Sequence, residues 1–442
     1  MTRAGSGSLL WRQWLATHDR LPRRVVLIDA DRDLAWTAAA LTRRALEFAA
    51  LLEDRRPGER LAFSLPNGPD WLAFFLATQR AALVAVPLDG ALPAAAALEL
   101  ARRLRVHALY RDGRFLATGL CPAPRAPGVC CLKITSGSGG APKAVPCRSA
   151  HLLADGRQIV ATMGLRAADR NLAAIPLGHS YGLGNLVLPL LLHGTALVVG
   201  NDYVPRQLAS WIARHRVTVL PLVPALFRVL AALPPGASLR PARLAISAGA
   251  VLSPETARAF HARHGLRIHN FYGSSETGGI CYDRTGAASL AGRSVGRPLR
   301  GVTVTLSGRR ITVASPAVAT PTGRRRLADA GEWNSRGELV LLGRVGPGAN
   351  IGGRKVHPLE IERALRELPG ITDAAVWRVE SAGRDLLAAG VETARPRAEI
   401  ERDLAARLPA WQVPKHLHVA PDLPRNARGK LDHAALRRHF EP

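Results

Sequence analysis

Residues 135–145 read TSGSGGAPKAV, which gathers small side chains, three glycines, one proline and one lysine into a single short segment. A loop of this kind can wrap backbone N–H groups around phosphate oxygens, while its lysine brings a mobile positive charge. The chemistry to which these residue types point is the binding of a polyphosphate. The segment is not a Walker A loop, because that motif ends Gly-Lys-Ser/Thr and here Lys143 follows Pro142 and precedes Ala144. Taken alone, the same residues also fit an exposed turn.

The surrounding elements must hold such a loop. Residues 60–87 read as an apolar strand ending near Pro66-Asn67, an apolar helix from about Asp70, and a short strand ending at Pro87. This α/β alternation recurs in strands at Leu172–Pro176, Thr195–Val199, Val217–Pro221 and Leu244–Ser247, separated by helices such as Pro205–His215 and Pro254–His264. The pattern predicts an α/β fold, a large layered body with ligand loops following its strands. Composition changes near Gly343. A glycine-rich segment leads to a helix start at Pro358, strands at Ala374–Trp377 and Leu386–Val391, and a helix at Glu399–Arg407. We therefore expect an N-terminal domain over residues 1–343 and a small, mobile α+β domain over 344–442.

With 442 residues, about 150 per domain gives two or three units. The most apolar stretch, Leu186–Val199, is interrupted by Pro189 and His193-Gly194, so it reads as a buried element and turn rather than a membrane span. The first twenty residues lack the apolar centre of a signal peptide, which leads us to expect a cytoplasmic protein. Cys121, Cys130, Cys131, Cys147 and Cys281 lack paired metal-ligand spacing and read as free thiols. The formal charge of +26 comes from 60 basic and 34 acidic residues and raises nucleic-acid binding. The arginines are dispersed, however, and no basic tail, zinc finger or RNA-recognition aromatic signature is present, so no nucleic-acid partner is expected.

The order of the motifs resembles the adenylate-forming family of acyl-CoA synthetases, aryl-acid ligases, luciferases and nonribosomal adenylation domains. The matching segments are Thr135 to Lys143, Phe271-Tyr272-Gly273-Ser274-Ser275-Glu276-Thr277, Asp329, Arg344 in LLGR, and Lys430 in PRNARGKLD. The resemblance implies that a carboxylate attacks the α-phosphorus of ATP, releasing pyrophosphate and leaving an acyl-adenylate for capture by a thiol. It gives Thr135, Ser136, Gly137, Ser138, Gly139, Gly140 and Lys143 the β- and γ-phosphates, and Glu276 a Mg2+ ion. Thr277 falls to the α-phosphate, and Tyr272, Gly273 and Ser274 to the nucleotide site. Asp329 takes the ribose hydroxyls, Arg344 the nearby sugar and phosphate, and Lys430 the charge that develops during adenylation. His179, in PLGHSYGLG, resembles the gate beside the acyl pocket. Tyr181, Gly182, Val223, Pro224, Ser247, Ala248, Gly249 and Ala250 fall where the family builds the acid pocket and the adenine edge, with Gly249 and Ala250 expected to bind the nucleotide.

The pocket positions are small or apolar, and none supplies the carboxylate that an α-ammonium group would need, which favours a fatty or aryl acid over an amino acid. YGSSETGGI resembles synthetases of fatty-acyl or aryl-polyene pathways. Coenzyme A is the expected acceptor. An acyl carrier protein offering its phosphopantetheine in trans, and a degenerate non-catalytic member, stay open as alternatives, as do a monomer and a homodimer. Two departures from the family pattern stand out. The segment between Arg309 and Asp329 is short, with Leu327-Ala328 in place of the usual Thr-Gly. Gly346-Pro347 replaces an acidic pair at the join between domains. Gly346 keeps torsional freedom there while Pro347 restricts it, and Gly352-Gly353-Arg354-Lys355 resembles the loop bordering the thiol tunnel. If Gly346 is the pivot, a substitution that holds the thioester conformation will slow adenylation more than thioester formation in half-reaction assays. Equal slowing of the two steps overturns the pivot.

Overall fold

A computed structural model describes residues 7–119, 121–136, 142–201, 203–234, 237–292, 294–344, 349–351, 354–356, 358–381, 384–425 and 431–438. Its larger part is built on two sheets. In the first, Arg60–Leu65 runs parallel to Val84–Asp89 and Ala108–Arg111, with Leu61, Ala62 and Phe63 buried. Continuous apolar runs of this kind are what a sheet covered on both faces requires. Val129–Ser136 adds in parallel beside Val84–Asp89, then turns back as Pro142–Arg148 to form the antiparallel edge. Thr135 and Lys143 thus lie on the edge pair of this sheet.

The second sheet has nine strands among the described residues. Its centre is parallel, running Ile268–Ser274, Leu244–Ser247, Val219–Leu222, Arg170–Leu172, Ala196–Val199 and Val25–Asp29. Helices pack between the sheets. In Pro69–Arg80, every residue from Trp71 to Gln79 is buried, the mark of an interior helix. It starts where Pro69 opens the first turn and Asp70 faces the N-terminal dipole. In Ser149–Met163, Gly156 leaves the space that Leu188 and Leu192 occupy, since a Cβ there would lie 2.8 Å and 2.9 Å from them.

The strand expected over Leu172–Pro176 is a correction. It begins at Arg170 and ends at Leu172. The Asn67 amide donates to the Ala173 and Ile175 carbonyls, and its oxygen accepts from Leu177 N–H, so the chain leaves the sheet there without orphaned backbone groups. Segment 309–329 still takes part in an antiparallel pair, Arg310–Ala314 with Arg324–Trp333, whose register shifts between Arg310 and Thr312, inside a four-stranded sheet completed by Thr303–Ser307 and Leu339–Arg344. All five cysteines are free. No helix among the described residues is long and apolar enough to cross a membrane.

The smaller α+β part has a three-stranded sheet, Asp373–Ser381, Arg384–Glu392 and His416–Ala420, packed with the helices Pro358–Arg366 and Arg397–Arg407. Glu392 is 1 % exposed and joins three segments. It accepts from Leu423 N–H at 3.3 Å and from the Arg425 guanidinium at 2.6 Å, and lies 3.6 Å from Arg228 of the larger part. Arg363 and Glu332 make a second bridge between the two parts at 3.6 Å. A buried carboxylate stripped of charge leaves its guanidinium partner uncompensated. The Glu392→Gln substitution should therefore cost about 3 kcal/mol, read as a lowered first unfolding transition of the full chain in urea. An unchanged transition would show that Asp373, 3.3 Å from Arg425, suffices alone.

Candidate active site

Two antiparallel strand pairs, one from each sheet, carry the candidate residues. In the first, Thr135 lies opposite Lys143 and Ser136 opposite Pro142. The Thr135 hydroxyl donates to the Lys143 carbonyl at 3.4 Å, and the Lys143 side chain is exposed. Gly137, Ser138, Gly139 and Gly140 lie outside the described residues.

The second pair joins Ile268–Ser274 to Gly278–Tyr282. Ser274 pairs with Gly278 and Gly273 with Gly279, which leaves Ser275, Glu276 and Thr277 at the turn. Gly273 is required by packing, because a Cβ there would meet the Gly278 carbonyl at 2.7 Å. Glu276 is half-buried, and its carbonyl accepts from Ala319 N–H at 3.3 Å. Thr277 is wholly buried. Its hydroxyl lies 3.0 Å from that of Ser274 and donates to the Gly278 carbonyl at 3.2 Å. The threonine expected at the α-phosphate is therefore engaged in bracing the turn.

Tyr272 and Asp329 are 57 residues apart in sequence, and the Tyr272 hydroxyl donates to Asp329 Oδ2 at 2.5 Å. Asp329 sits in Arg324–Trp333 with its cross-strand neighbour Arg344 on Leu339–Arg344, and Leu327, in the altered dipeptide before it, is buried. The side chain of Arg344 is outside the described residues. Gly249 and Ala250 follow the end of Leu244–Ser247. Gly249 has φ +89°, and Ala250 lines an interdomain cleft with Val223 and Pro224, faced by Thr372, Asp373 and Arg425.

His179 caps the short helix Ser180–Gly182, with Nε2 3.9 Å from Asp89 at the end of Val84–Asp89. The next residues tie this segment to the turn of the second pair and to the sheet. Ser180 donates to Ser275 at 2.7 Å, and the Tyr181 hydroxyl donates to the Ile246 carbonyl at 2.8 Å. Burial pushes the Tyr181 phenol well above its ordinary range, so it stays a donor. A π-turn, Leu183–Val187, follows, a feature that occurs often at functional sites.

Among the described residues, no group of three or more His, Cys, Asp or Glu side chains could cage a metal. One half-buried carboxylate, Glu276, fits a Mg2+ ion whose other oxygens come from phosphates and water. Lys430, Gly346 and Pro347 at the expected join, and Gly352-Gly353 lie outside the described residues.

Several contributors escape the motif pattern. Asp89 and the serine pair carry no sequence signal. Lys133 and Asp155 do, since each is a charge at an inward position of an apolar run, VCCLKITS and LLADGRQIV. Both are buried, and they lie 4.0 Å apart.

The sequence profile of the AMP-binding enzyme family matches residues 14–126 and 117–310, and that of the AMP-binding enzyme C-terminal domain matches 360–430. A sulfoacetate–CoA ligase of Cupriavidus necator is 30% identical over 349 residues, covering 72% of this chain and 68% of that protein. A feruloyl-CoA synthase of an Amycolatopsis species is 28% identical over 470 residues, covering 92% and 94%. The crystal structure of ATP-bound MatB from Rhodopseudomonas palustris superposes with a TM-score of 0.83 at 22% identity, covering 98% of this chain and 99% of that one. With a large α/β domain, a smaller α+β domain and profiles matching both, the chain belongs to the AMP-binding enzyme family, the acyl-adenylate-forming superfamily of the acyl-CoA synthetases.

Proposed function

We propose that this chain is an AMP-forming acid–thiol ligase that activates a fatty or aryl acid with ATP and transfers the acyl group to coenzyme A. The observation that carries the reading is the Tyr272–Asp329 hydrogen bond, which unites the second signature with the ribose carboxylate. A phenol beneath an adenine and a carboxylate beside it offer an apolar face and a double acceptor for vicinal hydroxyls, the two things a nucleoside needs. Mg2+ bound with Glu276 would neutralise phosphate charge.

In this reading Lys143 holds the outer phosphates from its edge strand. Lys430, delivered by the smaller domain, stabilises charge around the α-phosphate as the carboxylate attacks. His179 borders the acid pocket and is oriented by Asp89. The feruloyl-CoA synthase that this chain resembles is named for an aryl acid, and the apolar pocket positions suit an acid of that class. The formal charge of +26 favours, as a second reading, an acidic acyl carrier protein as the thiol source.

Acid-dependent pyrophosphate release from ATP, measured over a panel of fatty and aryl acids, tests the activity. Release is expected with at least one acid, and formation of a thioester with coenzyme A or with purified carrier protein identifies the acceptor. Lys430→Ala should lower adenylation by about 10²-fold or more, as expected for loss of a group acting in the transition state. No release with any acid overturns the reading. The Tyr272→Phe substitution removes one hydrogen bond to Asp329 and should weaken nucleotide binding by about fivefold, with little change in the KM for the acid. An equal rise in both constants would place Tyr272 outside the nucleotide site.

A further inference from the structure

Asp155 lies between the strand that carries Thr135 and the strand that follows the Ser275–Thr277 turn. It is 2 % exposed, in the middle of the helix Ser149–Met163, and touches three other elements of the site. Its Oδ2 is 4.0 Å from Lys133 Nζ, and Lys133 is 3 % exposed. Lys133 sits two residues before Thr135 on the strand that carries the phosphate loop. Oδ1 of Asp155 accepts from Gly279 N–H at 2.8 Å, immediately after the turn that holds Glu276 and Thr277. Gly184 of the π-turn comes close as well, since a Cβ there would stand 3.5 Å from Oδ2.

The fit around the carboxylate is specific. Gly278 has φ +73°, and a Cβ on it would lie 2.4 Å from Asp155 Oδ1. Any other residue at 278 would be strained in its backbone and would collide with the carboxylate. Burial raises the Asp155 carboxyl, an effect opposed by the Lys133 ammonium and by Gly279 N–H. Stability alone does not call for a buried ion pair, because a well-packed apolar pair serves as well or better. What the charged pair adds is direction: one oxygen fixes the strand after the Ser275–Thr277 turn, and the other faces the strand that carries Thr135.

We propose that Asp155 and Lys133 are positioning residues that hold the strand pair bearing Thr135 and Lys143 in register with the turn bearing Glu276, so that these residues face one MgATP. This rests on the reading of the chain as an ATP-using ligase, and it adds two residues that touch no substrate. Because the pair acts on the relation between that strand pair and that turn, its loss should appear in the constants for MgATP and spare those for the acid.

The test uses the full chain as Asp155→Asn and as the double variant Lys133→Met/Asp155→Asn, which removes both charges, keeps volume and leaves an acceptor for Gly279 N–H. Thermal melting shows that each is folded. MgATP binding is measured by calorimetry, and the KM for MgATP and for the acid by pyrophosphate release. The double variant should melt within a few degrees of the parent, bind MgATP about tenfold more weakly, as expected for a coupling between contacting groups, and keep its KM for the acid within about twofold. An unchanged affinity for MgATP in both variants overturns the inference, as does a fall in kcat with both KM values unchanged. A parent chain that binds MgATP but releases no pyrophosphate overturns the ligase reading and leaves this inference standing on the calorimetry. A parent that binds no MgATP overturns both.

Discussion

The helices Pro69–Arg80 and Ser149–Met163 are buried between two sheets, and the geometry of the site follows from that burial. Pro69–Arg80 is buried from Trp71 to Gln79, Ser149–Met163 exposes only a stripe through Ala150, Arg157 and Ala161, and the packing is tight enough that Gly156 must lack a side chain. Interiors packed this closely transmit position from one layer to the next. The first sheet presents its edge pair and the second presents its strand ends. The helical layer sets the distance between them.

Polar contacts then refine what the apolar layer sets coarsely. Ser180 with Ser275 and Tyr181 with Ile246 join the segment after His179 to a turn and a strand of the candidate site, and Tyr272 with Asp329 joins two of its strands. Each spans between 57 and 95 residues of sequence. Backbone groups freed where strands end early find partners of the same kind, as Asn67 shows beyond Leu172. The site is therefore made largely of loop and turn residues, and they are held by side chains from other layers.

The smaller domain meets the larger one through charge rather than through a shared apolar core. Arg228 with Glu392 and Arg363 with Glu332 cross between the two, while the smaller domain buries its own cluster around Val376, Leu387 and Ile400. Partly exposed ion pairs contribute little to stability and are weakened by salt. Arg425, which binds Glu392, stands five residues before Lys430, so the contact between domains and the segment bearing that lysine share one carboxylate.

The motifs were legible in the sequence because each needs particular residue types at close spacing. Thr135 to Lys143 and Phe271 to Thr277 are contiguous, and their glycines and hydroxyls announce a turn with polar work to do. Alternating apolar runs likewise gave the α/β layers, including Arg60–Leu65, Pro69–Arg80 and Leu244–Ser247. The strand beyond Leu172 was misread because an apolar run cannot show that Asn67, more than a hundred residues away, will take its carbonyls. The inward bracing of Thr277, the pairing of His179 with Asp89 and the meeting of Lys133 with Asp155 were invisible for the same reason. Local residue chemistry determined which segments could bind phosphate and sugar. Only tertiary packing decided which side chains face one another, because contacts between distant segments are set by the layers that carry them.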